Sequence, residues 1–300
     1  MFESLIGQDH IKRQLEFYHS AYVSSSVTPF LMFNGAKGTG KTEFAKQFAK
    51  QLKKPMLEIN CSTIKNSKQF FEQIFIPVIM GNEITILFDE VHALPKDLVM
   101  AFLTVFNIDN SRRREFSFED SSLEFNFEKQ TYLFATTEPD KLFAPFKDRM
   151  TIIDFKPYTE PQLASILQKK LDYVAFEPNT LAEISQSLRG NARSAVKRSK
   201  EIDMYCNSRN VSSFGKNQWE DLCSLLDISS HGLTNTEIEI LKILKSRGEC
   251  SLGMLSAATG LSRTCIQRDS ELHLLKKGFM SIDGKRKITS AGTKAIAAIA

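Results

Sequence analysis

The chain has 300 residues, too many for one small core, and its composition is that of an ordinary soluble globular protein. Its five cysteines (Cys61, Cys206, Cys223, Cys250 and Cys265) include no C-x-x-C pair, which argues against zinc and against a disulfide framework and fits a reducing compartment. The N-terminus lacks the basic-then-apolar layout of a secretion signal, and no apolar run approaches the roughly 20 residues that span a bilayer, so a cytoplasmic protein without a membrane partner is expected.

The first strong element is the run Phe30 to Phe33, which reads as a buried strand, followed by Gly35-Ala-Lys-Gly-Thr-Gly-Lys-Thr42. The octapeptide fits the phosphate-loop pattern G-x-x-x-x-G-K-[ST] at every fixed position. Apolar residues at Phe44, Ala45, Phe48, Ala49 and Leu52 then recur at helical spacing. A strand feeding a Gly-rich turn that opens a helix aims several backbone N–H groups at one point, and the helix dipole adds to the pull on an anion. Gly35, Lys37, Gly38, Thr39, Gly40, Lys41 and Thr42 are therefore the expected binding residues for ATP. Lys41 would reach the terminal phosphates and the Thr42 hydroxyl would hold Mg²⁺.

A second apolar run, Ile84 to Phe88, ends in Asp89-Glu90, an acidic pair at a strand tip in the Walker B arrangement. Asp89 is expected to orient Mg²⁺ and Glu90 to polarise an attacking water. His92, two residues on, either links this strand tip to contact elements or packs as a core histidine. Between 112 and 127 apolar residues alternate with polar ones on both sides of Glu119-Asp-Ser-Ser122, the signature of a two-stranded hairpin. Its phenylalanines (Phe116, Phe118, Phe125 and Phe127) either meet a partner or pack on the protein's own sheet. Gln130 to Thr137 reads as another strand ending in hydroxyls, suited to sensing a γ-phosphate. Phe146-Lys-Asp-Arg149 precedes a strand at Thr151 to Phe155, and Gly190-Asn-Ala-Arg193 opens a helix.

Residues 156–227 read as helices, at Glu160 to Leu171, Pro178 to Leu188, Ala192 to Tyr205 and Lys216 to Leu226. From Ile228 the pattern becomes a winged helix. Thr234-Asn-Thr-Glu237 has capping-box form and opens a helix to Ser246. A second helix runs from Ser251 to Thr259. A third, Arg263 to Lys277, carries Arg263, Gln267 and Arg268 on its early turns. Phe279 to Ile282 and Ile288-Thr289 flank a turn whose tip is Lys285-Arg286-Lys287. The net charge of +4 is concentrated here: residues 228–300 hold eleven Lys and Arg against six Asp and Glu. A basic wing beside a recognition-like helix points to duplex phosphate contact by these six residues, through shape rather than base reading.

The order of these parts resembles an AAA+ ATPase, and within that superfamily the RuvB family of Holliday-junction branch-migration motors. The residues that carry the resemblance are Ile6-Gly7-Gln8, the phosphate loop, Asp89-Glu-Val-His92, Ala135-Thr-Thr137, Asp148-Arg149, the Gly190-Asn-Ala-Arg193 helix start and the C-terminal winged helix. The resemblance implies an α/β core with a parallel sheet (1–155) bearing a hairpin at about 112–130, a helical lid (156–227) and a winged-helix DNA-binding domain (228–300). It makes Thr137, with Thr136 as the alternative, the sensor on the third strand tip. Arg149, with Lys147 as competitor, becomes a finger reaching a neighbouring subunit's ATP, and Arg193 a sensor in the lid. It adds Ile6 to the nucleotide-binding residues. It also implies a ring, expected to be hexameric, acting on duplex or junction DNA, with a junction-binding protein docked on the hairpin. The sequence departs from the family in two places. The short basic segment that precedes the I-G-Q box and contacts adenine has no room after Met1, so looser base recognition is expected, and Lys37 stands where proline is common. The leading expectation is an ATP-dependent DNA translocase of recombination. The alternatives are a clamp-loader-like switch, suggested by Ala135-Thr-Thr-Glu-Pro-Asp-Lys-Leu142, and a DNA-binding regulatory ATPase.

Overall fold

The computed structural model describes residues 2–107, 112–229 and 231–297. Met1, Ser230 and 298–300, which the expected domain ranges include, lie outside the described residues, as do 108–111. The chain divides into two compact units: Met1–Gln162 with Gly190–Ser194, and Leu163–Arg189 with Ala195–Ala300.

In the first unit the elements follow in the order α1 (Asp9–Ser25), β1 (Leu31–Asn34), α2 (Lys41–Gln51), β2 (Met56–Asn60), α3 (Ser67–Phe70), β3 (Thr85–Asp89), α4 (Lys96–Val105), β4 (Arg113–Phe118), β5 (Ser121–Asn126), β6 (Thr131–Thr136), α5 (Ala144–Lys147) and β7 (Thr151–Asp154). Strands β2, β3, β6, β1 and β7 lie side by side in that order, and each neighbouring pair is parallel. Such a sheet is covered on both faces, so its strands are apolar throughout; every residue of β6 is buried. Alternation along β1 sends Leu31 and Phe33 to one face, packed with Phe44 and Phe48 of α2 and Ile11 and Leu15 of α1. Met32 faces the other side, with Ile86, Phe88 and Phe134 against Phe70, Leu98 and Phe102. Strand β1 lies between β6 and β7, so the chain doubles back beside it, the place where open α/β sheets bind ligands at their carboxyl ends.

Helix α3 runs on into a π-helical stretch, Phe71–Ile79, that contains Pro77. Strands β4 and β5 form the expected hairpin, with Glu119-Asp120 at its turn. Its apolar face lies on the π-helical stretch: Phe116 and Phe118 have ring centroids 5.5 and 4.7 Å from Phe71, and Phe125 stacks on Phe75 at 4.2 Å. Of the two readings left open by the sequence, the aromatic residues take the internal one. The outward residues are charged, with Arg113 paired to Glu124 and Lys68 to Glu119 at the turn.

The second unit begins within α6 (Glu160–Lys170) and continues with β8 (Ala175–Phe176), α7 (Thr180–Gln186), α8 (Ala192–Arg209), β9 (Ser213–Phe214) and α9 (Lys216–Leu225). The short parallel pair β8–β9 is an addition to the helices expected from the sequence. Then come α10 (Asn235–Arg247), α11 (Leu252–Thr259), α12 (Arg263–Cys265), α13 (Leu272–Lys276), β10 (Met280–Asp283), β11 (Lys285–Ile288) and a further helix, α14 (Ser290–Ala297). The capping box is present: Thr234 Oγ1 accepts from the Glu237 N–H at 3.2 Å, and Glu237 returns a carboxylate to the Thr234 N–H at 2.8 Å. The expected third helix is unbroken from Arg263 to Lys276, but its centre, Ile266–Glu271, is π-helical. Ile240, Leu241, Leu244, Leu255, Ile266 and Leu274 bring these helices around one core.

Candidate functional site

The site is assembled at the carboxyl edge of the sheet. Register aligns Asn34 with Thr136 and Asn60 with Asp89, so the tips of β1, β2, β3 and β6 stand side by side. The phosphate loop leaves β1 and enters α2 at Lys41, with Gly40 as the residue before the helix. Gly38 and Gly40 have φ of 77° and 99°, conformations that side chains disfavour. A Cβ on Gly40 would lie 2.9 Å from the Tyr158 hydroxyl, and one on Gly38 would collide with Asn191. Thr39 is buried and its hydroxyl turns back to the Ala36 carbonyl at 2.8 Å. The loop therefore offers backbone rather than side chains along its inner wall, as a triphosphate requires. Lys37 is exposed and Thr42 half-buried.

Lys41 is buried, and its ammonium donates to the Gly35 and Ala36 carbonyls at 2.7 and 3.1 Å. Burial lowers its pKa, while the charges of Glu90 and Asp89 oppose that shift. Asp89 closes β3, and its carboxylate accepts from the Glu90 N–H at 3.0 Å. Burial raises the Asp89 carboxyl, and that hydrogen bond works against it. A cation near these two carboxylates would restore what burial removes. Among the described residues no group of three or more His, Cys, Asp and Glu is placed to hold a metal alone.

Glu90 adopts φ 53°, a left-handed conformation uncommon outside glycine. Thr137 Oγ1 donates to Glu90 Oε2 at 2.9 Å, whereas Thr136 is fully buried and meets His92 Nδ1 at 3.0 Å. The structure thus separates the two threonines that the sequence left as alternatives. His92 also lies 3.3 Å from Glu138 Oε2 through Nε2.

Arg193 is exposed on the first turn of α8, close enough for its charge to depress the Lys41 pKa. Arg149 follows α5, and its Nη1 donates to the Pro145 carbonyl at 2.6 Å. Its Nε is buried and has no hydrogen-bond partner among the described residues. The half-buried Lys147 lies on the same helix. Ile6 is half-buried.

Two further residues at this site stand in the quoted motifs but were given no role of their own from the sequence. Gln8 is buried; it donates to the Lys156 carbonyl at 2.6 Å and accepts from the Lys156 N–H at 3.3 Å, tying the N-terminal I-G-Q segment to the end of the core. Asn191 accepts from the Ser194 N–H at 3.1 Å and donates to the Lys37 carbonyl at 3.2 Å, and the Ala192 N–H reaches Gly38 O at 2.9 Å. The signal for Asn191 was its place at the mouth of a helix, where Asn is a favoured cap.

In the winged helix, Arg263, Gln267 and Arg268 are exposed, as is Lys285. Arg286 is not at a free tip, contrary to the sequence expectation. Its Nε and Nη2 fork onto Glu271 Oε1 and Oε2 at 2.6 and 3.2 Å, with 12% and 6% of the two side chains exposed. Strand β11 alternates, so Arg286 faces the third helix while Lys285 faces outward. Lys287 pairs with Glu249 at 2.5 Å on the surface.

Comparison with known proteins matches these parts. The description "ATPase family associated with various cellular activities (AAA)" fits residues 31–158, and "RuvB C-terminal winged helix domain" fits residues 230–297. Holliday junction branch migration complex subunit RuvB of Bifidobacterium adolescentis is 22% identical, covering 97% of this chain and 82% of the relative. That of Latilactobacillus sakei is 25% identical, covering 96% and 88%. The structure of the Thermotoga maritima RuvB Holliday junction branch migration motor superposes with a TM-score of 0.77 at 22% identity, over 97% of this chain and 95% of that one. At this identity the superposition speaks for the fold: an AAA core with a parallel sheet, followed by helices and a winged helix. The chain thus carries an AAA ATPase domain and a RuvB C-terminal winged helix domain on one polypeptide and is similar to RuvB proteins over nearly its whole length.

Proposed function

We propose that this chain is an ATP-driven DNA motor that moves duplex DNA through a ring during Holliday-junction branch migration, built from a core (1–155), a lid (156–227) and a winged helix (228–300). The observation that carries the reading is the Thr137–Glu90 hydrogen bond at the sheet edge that also holds Asp89 and Lys41. In the mechanism, the phosphate-loop amides and Lys41 cradle the β- and γ-phosphates, and the I-G-Q segment with Ile6 borders the base. Thr42 and Asp89 are the residues that would hold Mg²⁺, which would neutralise phosphate charge. Thr137 fixes Glu90, and Glu90 accepts a proton from the water that attacks the γ-phosphorus. The bond to the leaving ADP oxygen breaks in line. Arg193 from the lid and Arg149 from the neighbouring copy meet the developing charge.

The winged helix contacts DNA through Arg263, Gln267, Arg268 and Lys285, with Lys287 in reserve. A junction-binding partner docking on the hairpin would meet its charged face rather than its phenylalanines. The C-terminal winged helix sets the motor apart from a clamp-loader-like switch. Glu90→Gln is expected to bind ATP and trap a ring on four-way DNA without hydrolysis, and Lys41→Ala to lose nucleotide affinity. Equal loss of ATP binding in both variants would remove the assignment.

A further inference from the structure

We propose that His92 is a positioning residue for hydrolysis, a clamp that holds the Glu90 carboxylate in the orientation needed to accept a proton from water. The inference rests on the ATPase reading above and adds a residue to it. His92 lies on the 3₁₀ turn Val91–Ala93 directly after β3, with 15% of its side chain exposed. Its ring meets three polar side chains drawn from two strand tips. Nδ1 is 3.0 Å from Thr136 Oγ1 and 3.4 Å from Glu90 Oε2, and Nε2 is 3.3 Å from Glu138 Oε2. A histidine that served only as packing would not be gripped by side-chain oxygens on both ring nitrogens.

The proton logic is constrained. An ionised Glu138 can only accept, so Nε2 carries a hydrogen. For Nδ1 to hold Glu90 it must carry a hydrogen as well, shared between Thr136 Oγ1 and Glu90 Oε2, so the clamp is the doubly protonated ring, and Thr136 Oγ1 also accepts from the Glu138 N–H at 3.0 Å. The ring is therefore fixed from both ends, and Glu138 is fixed in turn by Lys141 at 2.6 Å. Against this anchored ring, and under the Thr137 hydroxyl, Glu90 keeps one arrangement. Both contacts converge on Oε2, which leaves Oε1 as the oxygen to meet a water. Glu90 needs such support, because its left-handed backbone persists only where its surroundings over-determine it.

Steady-state ATP turnover and binding of a fluorescent ATP analogue test the proposal in His92→Ala and His92→Gln. Removing a group that orients a catalytic side chain lowers turnover by roughly 10–100-fold without weakening substrate binding. His92→Ala is expected to show that loss in kcat with analogue Kd within about threefold of the parent. His92→Gln, whose amide can still bridge Thr136 and Glu138, is expected to recover part of the rate and guards against a folding defect in the alanine variant. Because the clamp acts through Glu90, His92→Ala combined with Glu90→Asp should lose less than the product of the two single losses. A kcat within threefold of the parent in both His92 variants, or losses that multiply in full, would overturn the role. If Glu90→Gln itself hydrolyses ATP at the parent rate, the ATPase assignment fails instead, whatever His92 does.

Discussion

The wing gives the sharpest divergence between a reading of residue types and a reading of contacts, and Arg286→Ala tests it. By composition Arg286 is the middle of three cations at a DNA-facing tip. By structure its guanidinium is a two-pronged partner of Glu271, and both are largely out of solvent. Removing one member of a buried ion pair strands the other, at a cost of about 3–5 kcal/mol. Because Arg286 keeps 12% exposure, water can reach part of the stranded carboxylate and the lower figure, about 3 kcal/mol, applies. A loss of that size is a large fraction of the roughly 5–15 kcal/mol that holds a domain folded. Urea unfolding followed by circular dichroism should show it, and Glu271→Gln should show a loss in the same range. The salt dependence of duplex binding should behave oppositely. Each neutralised phosphate contributes about 0.9 to the log–log slope. Lys285→Ala is therefore expected to flatten the slope by about 0.9, and Arg286→Ala, measured at low urea and low temperature where it stays folded, to leave it unchanged. An Arg286→Ala protein that unfolds within about 1 kcal/mol of the parent, yet loses a full unit of slope, would show that Arg286 abandons Glu271 for DNA.

Arg149→Ala should bind ATP as the parent does and lose roughly 10³-fold or more in turnover. Mixing it with Lys41→Ala should restore activity, and mixed assemblies that stay inert would place the finger elsewhere, Lys147 first. Phe125→Ala should lower folding stability by about 3–5 kcal/mol, since Phe125 is fully buried against Phe75; a stable variant that fails only in partner binding would contradict the internal packing of the hairpin. Burial, aided by the charges of Arg189 and Lys277, pushes the His273 pKa down from 6.5 to about 4. The unfolded chain then takes up that proton first, so the stability is complete above about pH 6.5 and is lost as pH falls towards 4, by at most about 3 kcal/mol. His273→Leu should flatten unfolding free energy against pH across that window, and an unaltered slope would sink the argument.

What the sequence made legible was local. The phosphate loop, the strand tips and the Thr234–Glu237 box are each encoded within a few neighbouring residues, so spacing alone locates them. What it hid was pairing at a distance. Arg286 finds Glu271 fifteen residues away, across a helix and a turn. Glu237, besides capping α10, is fully buried against Arg189, a contact spanning 48 residues that no periodicity announces. The hairpin shows the same limit. Alternation revealed that one face was apolar but not what that face would meet, because the answer lay in the π-helical stretch Phe71–Ile79. Phe71, Phe75 and Ile79 recur at helical spacing, but Pro77 among them argues against a helix and conceals the stretch in the sequence.

The choice between Thr136 and Thr137 carries the argument one step further. Both are hydroxyl residues at the same strand end, and no property of either decides which one serves. Register decides. Phe88 of β3 is opposite Phe134 of β6, and their rings stack at 5.3 Å and 12°, fixing how far each strand advances before it ends. From that fixed pair, Glu90 lies two residues on and Thr137 three. Thr136 still belongs to the strand and is drawn inward to His92, while Thr137, just past the strand, is released towards Glu90. The geometry of the proposed catalytic pair is thus set by aromatic packing a few residues below it. A motif records which chemistry is present at the strand tips; the core beneath them determines which of those groups can meet.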